Sequence, residues 1–88
     1  MSDPFQGIHE LQVKLFSPFE VMYEGKAKAL SATNALGSFD VLPDHTNFMT
    51  LLTSGEVKIL TNVDSRTFIV EHGVLKVSNN IVTVFANI

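Results

Sequence analysis

The stretch VLKVSNNIVTVFA, residues 74–86, has the pattern of a β-hairpin. On either side of its centre the side chains alternate with a period of two, so that Val82 and Val84 point to one face and Phe85 to the other. The pair Asn79–Asn80 separates the two runs, and asparagine tolerates the positive φ angles of tight hairpin turns better than most residues. The stretch therefore predicts two antiparallel strands joined by a short turn.

The rest of the chain shows the same pattern. Its periodic segments are rich in Val, Ile, Thr and Phe, and single glycines, prolines or asparagines separate them. We expect Gly25 to form a tight turn and Pro43 to end a strand. No stretch has the pattern of a helix, and short strands at near-regular spacing indicate an antiparallel sandwich or barrel. The predicted strands cover residues 10–17, 19–24, 26–32, 38–42, 48–54, 56–63, 67–72, 74–78 and 81–88.

Length and composition indicate one small domain that works against a partner. At 88 residues the chain has room for a single core, so we expect one all-β domain over residues 1–88. Hydrophobic residues make up 45% of the chain and charged residues only 17%, a low share for a domain of this size, so we expect a partner to cover part of the surface. The net charge of −3 gives no basic field for phosphate backbones, and we expect no nucleic-acid partner.

The sequence lacks the features of cysteine-based sites, of a signal peptide and of a membrane-spanning segment. It contains no cysteine, which excludes a disulfide framework and a thiolate zinc site. Its first ten residues, MSDPFQGIHE, lack the basic and apolar regions of a signal peptide, and no segment approaches the roughly 20 apolar residues that span a bilayer. We expect a soluble, unexported protein that contacts a membrane only through a partner.

The final predicted strands are apolar on both faces. Phe85 lies opposite Val84, and Val74 lies opposite Leu75, whereas a sheet with one solvated face should alternate apolar with polar residues. Two interpretations remain open. Either a protein partner covers the outer face, or the strand ends curl and cover one another.

Polar residues cluster in GSFDVLPDHTNFMT, residues 37–50, and raise the question of an active site. Asp40, Asp44 and His45 lack the spacing of metal ligands, since neighbouring side chains on a strand point to opposite faces. No serine or threonine in the stretch sits in a nucleophile elbow, and every glycine of the chain is single. We expect no catalytic, metal or cofactor site, and interpret the stretch as a structural corner in which Pro43 ends a strand and the side chains of Asp44 and Thr46 satisfy backbone donors.

Three longer blocks resemble the epsilon subunit of F-type ATP synthases. GSFDVLPDHTNFMTLLTSGEVKI, residues 37–59, is similar to the family signature, in which a glycine-led strand ends in an aliphatic residue, Pro, any residue and His, followed by an apolar run leading to a glycine. LQVKLFSPFEVMYEGKAKAL, residues 11–30, resembles the first hairpin of the family, and FIVEHGVLKVSNNIVTVFA, residues 68–86, resembles its closing strands. The resemblance covers nearly the whole chain from Leu11.

The resemblance implies both a fold and a role. The N-terminal domain of the family is a ten-stranded antiparallel β-sandwich or flattened barrel without catalytic activity. It belongs to the rotating central stalk, where it clamps the gamma subunit to the membrane c ring and couples ion-driven rotation to ATP synthesis. The expected location is the cytoplasmic face of a bacterial inner membrane. The two-helix C-terminal hairpin of the family has no counterpart in these 88 residues, so no inhibitory or nucleotide-binding role is assigned to them.

The resemblance also implies two sets of contact residues. The gamma-facing positions of the family correspond to Ser17, His45 and Thr50. The loop that approaches the c ring corresponds to Leu36, Gly37 and Ser38. Many relatives carry acidic residues in that loop, whereas this sequence has Leu36 and Ser38.

The alternative from another functional class is a free-standing β-sandwich that binds a protein or another ligand without catalysis. Modules that bind sugars usually expose aromatic platforms. This chain has no Trp and a single tyrosine, Tyr23, which lies in a predicted strand. This composition counts against the free-standing module.

Overall fold

A computed structural model describes residues 10–87, and every regular element among them is a β-strand. The nine predicted strands are all present, with ends that move by at most a few residues. These residues contain no helix, and hence none that could cross a membrane. The strands are β1 (Leu11–Phe16), β2 (Val21–Ala27), β3 (Ala29–Asn34), β4 (Gly37–Val41), β5 (Phe48–Leu52), β6 (Gly55–Leu60), β7 (Ser65–Val70), β8 (His72–Ser78) and β9 (Ile81–Asn87).

The strands form two sheets packed face to face, which confirms the predicted β-sandwich. One sheet has five strands in the order β2-β1-β9-β8-β5, and the other has four in the order β4-β3-β6-β7. Alternate side chains of both sheets meet in one core, in which Leu15, Ile59 and Leu75 are fully buried. No polar or charged residue among residues 10–87 is buried, so packing of apolar side chains holds the two sheets together.

One strand pair differs from the prediction of a wholly antiparallel sandwich. β1 and β9 pair in parallel, with Val13 opposite Val82 and Phe16 opposite Phe85. Every other strand pair among the described residues is antiparallel. The parallel pair brings the first and last described strands together at the centre of the larger sheet, which period-two patterning within each strand cannot reveal.

Two turn predictions have different outcomes. The prediction for Asn79–Asn80 is confirmed, since both residues have positive φ, 51° and 64°, and they join β8 to β9. The prediction for Gly25 is wrong, because this glycine lies inside β2. A Cβ at Gly25 would lie 3.4 Å from the Tyr23 hydroxyl, and that hydroxyl donates a hydrogen bond to the Lys26 carbonyl at 2.9 Å. The tyrosine side chain thus packs over the glycine within the extended strand.

The connections between strands collect at two ends of the sandwich. The first, here called the corner end, contains residues 42–47 between the two sheets and the Asn79–Asn80 turn. The second, here called the loop end, contains residues 17–20, 35–36 and 53–54. Every strand runs from one end to the other, so residues at the two ends are separated by the length of a strand.

Candidate functional site

The polar stretch 42–47 is a structural corner. The Asp44 backbone has a positive φ of 66°, which Asp adopts more readily than most residues, and its amide donates to Oδ1 of Asn80 at 2.6 Å. The Asn79 amide donates to Oδ1 of Asn47 at 2.9 Å. These bonds tie the corner to the β8–β9 turn, so the side chains of Asn47 and Asn80 satisfy backbone donors here, a role that the sequence led us to expect of Asp44 and Thr46.

His45 is held within this corner. Its backbone amide donates to the Leu42 carbonyl at 3.2 Å, and its ring Nδ1 lies 2.8 Å from the Thr46 carbonyl. The ring also packs on Phe48, with centroids 4.8 Å apart. Residues 10–87 contain no group of three or more His, Cys, Asp or Glu side chains able to hold a metal. The contacts of His45 therefore indicate a fixed, half-exposed surface side chain.

Thr50 links the two sheets at their edge. It lies in the middle of β5 opposite the buried Leu75, so its side chain points to the inner side of the sheet. Its Oγ1 accepts a hydrogen bond from Nδ2 of Asn34 in β3 at 3.2 Å. The half-buried hydroxyl stabilises the junction between β5 and β3.

Ser17 and the segment Leu36–Ser38 lie at the loop end. The Ser17 hydroxyl accepts from the Glu20 amide at 3.2 Å and caps the turn between β1 and β2. Leu36 is 98% exposed at the tip of the β3–β4 hairpin, where its amide donates to Oδ1 of Asn34. The structure thus brings Ser17 and Leu36–Ser38 to one end, leaves His45 at the corner end, and places Thr50 between them.

An exposed apolar row crosses the outer face of the five-stranded sheet. Strand register places one apolar side chain from each strand side by side, in the order β2-β1-β9-β8-β5. The rings of Phe16 and Phe85 stack with centroids 5.0 Å apart. Phe85 is 59% exposed and Leu51 is 71% exposed. This apolar row consists of Val21, Phe16, Phe85, Val74 and Leu51.

The apolar row has a charged neighbour on one side and a groove on the other. Two residues towards the corner end, a parallel row consists of Met49, Lys76, Thr83, Lys14 and Glu24. Within it, Lys14 Nζ lies 3.6 Å from Glu24 Oε2. Towards the loop end, Pro18, His72 and Asn87 border a groove of about 440 Å³ that Phe16 and Phe85 also line. The apolar row is therefore flanked by groups that can form polar contacts.

The outer face of the four-stranded sheet is polar by comparison. Asp40, Ser31, Lys58 and Thr67 lie side by side across its strands, and the Ser31 hydroxyl donates to Asp40 Oδ1 at 2.6 Å. Water can satisfy the hydrogen-bonding groups of the polar side chains on this face. The two outer faces thus differ, and the apolar row marks the five-stranded sheet as the one suited to a protein partner.

Only part of the apolar row could be anticipated. From the sequence, Val74 and Phe85 were predicted to lie on a second apolar face. Phe16, Val21 and Leu51 were visible as apolar residues, but no pattern within their own strands shows which residues of other strands lie beside them. Their alignment depends on the register between strands that are distant in sequence.

Family comparison shows where this sandwich belongs. Residues 10–88 match the family described as the ATP synthase delta/epsilon chain, beta-sandwich domain. The chain belongs to this family. The match covers all nine strands, and it confirms the resemblance that the three sequence blocks indicated.

Individual ATP synthase epsilon chains are similar in sequence to this chain. The ATP synthase epsilon chain of Hydrogenovibrio crunogenus is 32% identical over 77 residues, which are 88% of this chain and 54% of the relative. That of Psychrobacter arcticus is 36% identical over 78 residues, 88% of this chain and 56% of the relative. The chain therefore spans about half the length of these relatives.

Solved structures share the fold. A chain of the Euglena gracilis mitochondrial ATP synthase, from its OSCP/F1/c-ring assembly, superposes with a TM-score of 0.83 at 15% identity and covers 89% of this chain and 51% of that one. A chain of the Tetrahymena thermophila central stalk and c-ring assembly gives a TM-score of 0.75 at 17% identity, with 89% and 63% covered. At these identities the likeness is one of fold.

Proposed function

We propose that the protein is a central-stalk rotor subunit of an F-type ATP synthase. In this role it clamps the gamma subunit to the membrane c ring and couples ion-driven rotation to ATP synthesis. The observation that carries the proposal is the apolar row on the five-stranded sheet, in a domain whose relatives are ATP synthase epsilon chains. The apolar row supplies a surface through which a non-catalytic subunit can bind another subunit.

The gamma subunit is the proposed partner of the apolar row. Complete burial of a Val, Leu or Phe side chain is worth roughly 1.5–3 kcal/mol. Val21, Phe85 and Leu51 of the row are 51%, 59% and 71% exposed, whereas Phe16 and Val74 are half-buried. Covering all five favours binding by several kcal/mol before the cost of association is subtracted. Because this contribution is apolar, the complex should persist in moderate salt.

The loop end is proposed to face the membrane. Ser17 follows Phe16 of the apolar row and would extend the gamma contact towards that end. Leu36, Gly37 and Ser38 project from the same end and would meet the c ring. His45 and Thr50 lie beside and within β5, the strand that holds Leu51, and would contact gamma along that edge.

The proposed role is mechanical and non-enzymatic. A packed all-apolar core with no buried polar residue among residues 10–87 suits a rigid adaptor that transmits torque. The proposed location is the cytoplasmic face of a bacterial inner membrane, with membrane contact made through the partner subunits. No cofactor takes part in this function.

A matched pair of variants tests the proposed face. Leu51→Asp places a charge in the apolar row at a position 71% exposed, and Ile69→Asp places the same charge on the four-stranded sheet at a position 63% exposed. The assay is the affinity for the purified gamma subunit by calorimetry, with melting temperatures as the folding control. We expect Leu51→Asp to weaken binding by at least tenfold and Ile69→Asp to leave it unchanged.

Two outcomes would contradict the proposal. If the folded wild-type chain shows no affinity for gamma at micromolar concentration, the stalk role is wrong. If Ile69→Asp weakens gamma binding as much as Leu51→Asp does, the five-stranded face is not the gamma contact.

A further inference from the structure

Lys76 stands out on the proposed docking face. It lies in the middle of β8 on the outer side of the five-stranded sheet, between Met49 on β5 and Thr83 on β9. It is two residues from Val74, so its backbone is about 7 Å from the apolar row. A partner surface wide enough to cover the row therefore reaches the Lys76 ammonium group.

Lys76 has no carboxylate partner among residues 10–87. The strands of this sheet carry one acidic residue, Glu24, which lies in the same row as Lys76 but beyond Thr83 and Lys14, and it pairs with Lys14. Neither neighbour of Lys76 in the strand register is charged. Within residues 10–87 its charge is therefore balanced only by solvent.

The whole sheet has a charge opposite to that of the chain. The five strands carry three lysines, Lys14, Lys26 and Lys76, and one glutamate, which gives +2 against −3 for the complete sequence. The strands of the other sheet carry Asp40, Glu56, Lys58 and Arg66 and are neutral. Positive charge is thus concentrated on the face that holds the apolar row.

We propose that the partner surface covering the apolar row places a carboxylate opposite Lys76. If the partner covered the row without such a group, the Lys76 ammonium ion would lose hydrating water and gain no compensating hydrogen bond or opposite charge, which would oppose binding. A carboxylate in that place forms a charge-assisted hydrogen bond and fixes the register of the partner along the row. This inference rests on the proposed function, because it specifies the chemistry of the gamma surface that docks there.

The experiment compares two lysines on opposite faces. Lys76→Gln removes the charge beside the apolar row, and Lys58→Gln removes one from the exposed outer face of the four-stranded sheet. We expect Lys76→Gln to weaken gamma binding about tenfold, as for the loss of one charge-assisted hydrogen bond, and Lys58→Gln to have no effect. Lys76→Glu should weaken binding further, because it sets two carboxylates against each other. Carbodiimide coupling of the complex should join Lys76 to an Asp or Glu of gamma, which peptide mass spectrometry would identify.

The outcomes separate this inference from the function on which it rests. If gamma binds the wild type, Lys76→Gln and Lys76→Glu equally, the carboxylate is absent and the stalk role stands. If gamma binds none of them although all are folded by circular dichroism, the stalk role itself fails. A second copy of this chain as the occupant would appear as self-association that Leu51→Asp abolishes in the absence of gamma, and this would also overturn the inference.

Discussion

Gly73 offers a quantitative test of the packing between β8 and β9. A Cβ built on this glycine would lie 2.4 Å from the Phe85 carbonyl oxygen, 3.0 Å from Ala86 Cα and 3.3 Å from Ala86 Cβ. Two of these atoms belong to the backbone of the central strand and cannot rotate away. Gly73→Ala therefore forces β8 and β9 apart where they hold Val74 and Phe85 of the apolar row.

The expected loss of stability for Gly73→Ala follows from two opposing terms. Overpacking of this kind costs typically 1–3 kcal/mol, and a clash with backbone belongs at the upper end, about 3 kcal/mol. Alanine restricts the unfolded chain and returns about 0.4–1 kcal/mol. The net loss is about 2 kcal/mol, which lowers the melting temperature of a domain this size by roughly 8–16 °C.

Gly25→Ala is the matched control for Gly73→Ala. Gly25 also lies inside a strand, but its added Cβ would meet the Tyr23 hydroxyl at 3.4 Å, an ordinary contact with a side chain. We expect its free energy of unfolding in urea to stay within about 0.5 kcal/mol of wild type. The double variant Gly73→Ala/Ala86→Gly relieves only the 3.3 Å contact and should remain destabilised. A Gly73→Ala protein as stable as Gly25→Ala would show that β8 and β9 do not pack this closely at Gly73.

Two further predictions concern the core and the corner. Leu75→Ala, at a fully buried position, should lower the free energy of unfolding in urea by about 2–5 kcal/mol. Leu51→Ala, at an exposed position on the neighbouring strand, should lower it by less than about 1 kcal/mol. Similar losses for the two variants would contradict the assignment of inner and outer faces. Asn80→Ala should cost about 1–3 kcal/mol more than Asn79→Ala, since both replace an asparagine at positive φ but only Asn80 accepts from the Asp44 amide through its side chain. Equal melting temperatures for the two asparagine variants would show that the hydrogen bond from the Asp44 amide to Asn80 does not stabilise the corner.

Local pattern was sufficient to predict the strands of this protein. Each run of Val, Ile, Thr and Phe alternates with period two, and that alternation depends only on neighbouring residues, so all nine strands were predicted. The turn at Asn79–Asn80 was predicted for the same reason, because its positive φ angles are a local property. Gly25 was misplaced because a glycine can lie inside a strand as well as in a turn, and here Tyr23 packs over it within β2.

Features that depend on strand register could not be predicted. The alignment of Leu51 with Val74 and Phe85 requires knowing that β5, β8 and β9 are neighbours and how each is shifted along the next. The hydrogen bonds between Asp44 and Asn80 likewise join segments 36 residues apart in sequence. Residues 42–47 were predicted to form a corner, but the Asn79–Asn80 turn, to which hydrogen bonds attach that corner, is distant in sequence.

The placement of β9 between β1 and β8 has a consequence for how the chain acquires its structure. Val13 pairs with Val82, so the centre of the larger sheet cannot close until the last described strand has left the ribosome. Until then β1 lacks its central neighbour and leaves half of its backbone hydrogen-bonding groups open to other chains. Sheets that depend on such distant pairings fold in milliseconds to seconds, more slowly than domains built from local contacts. Production of this protein should therefore depend on β9 being intact, and shortening the chain before Ile81 should give aggregates in place of a smaller folded domain.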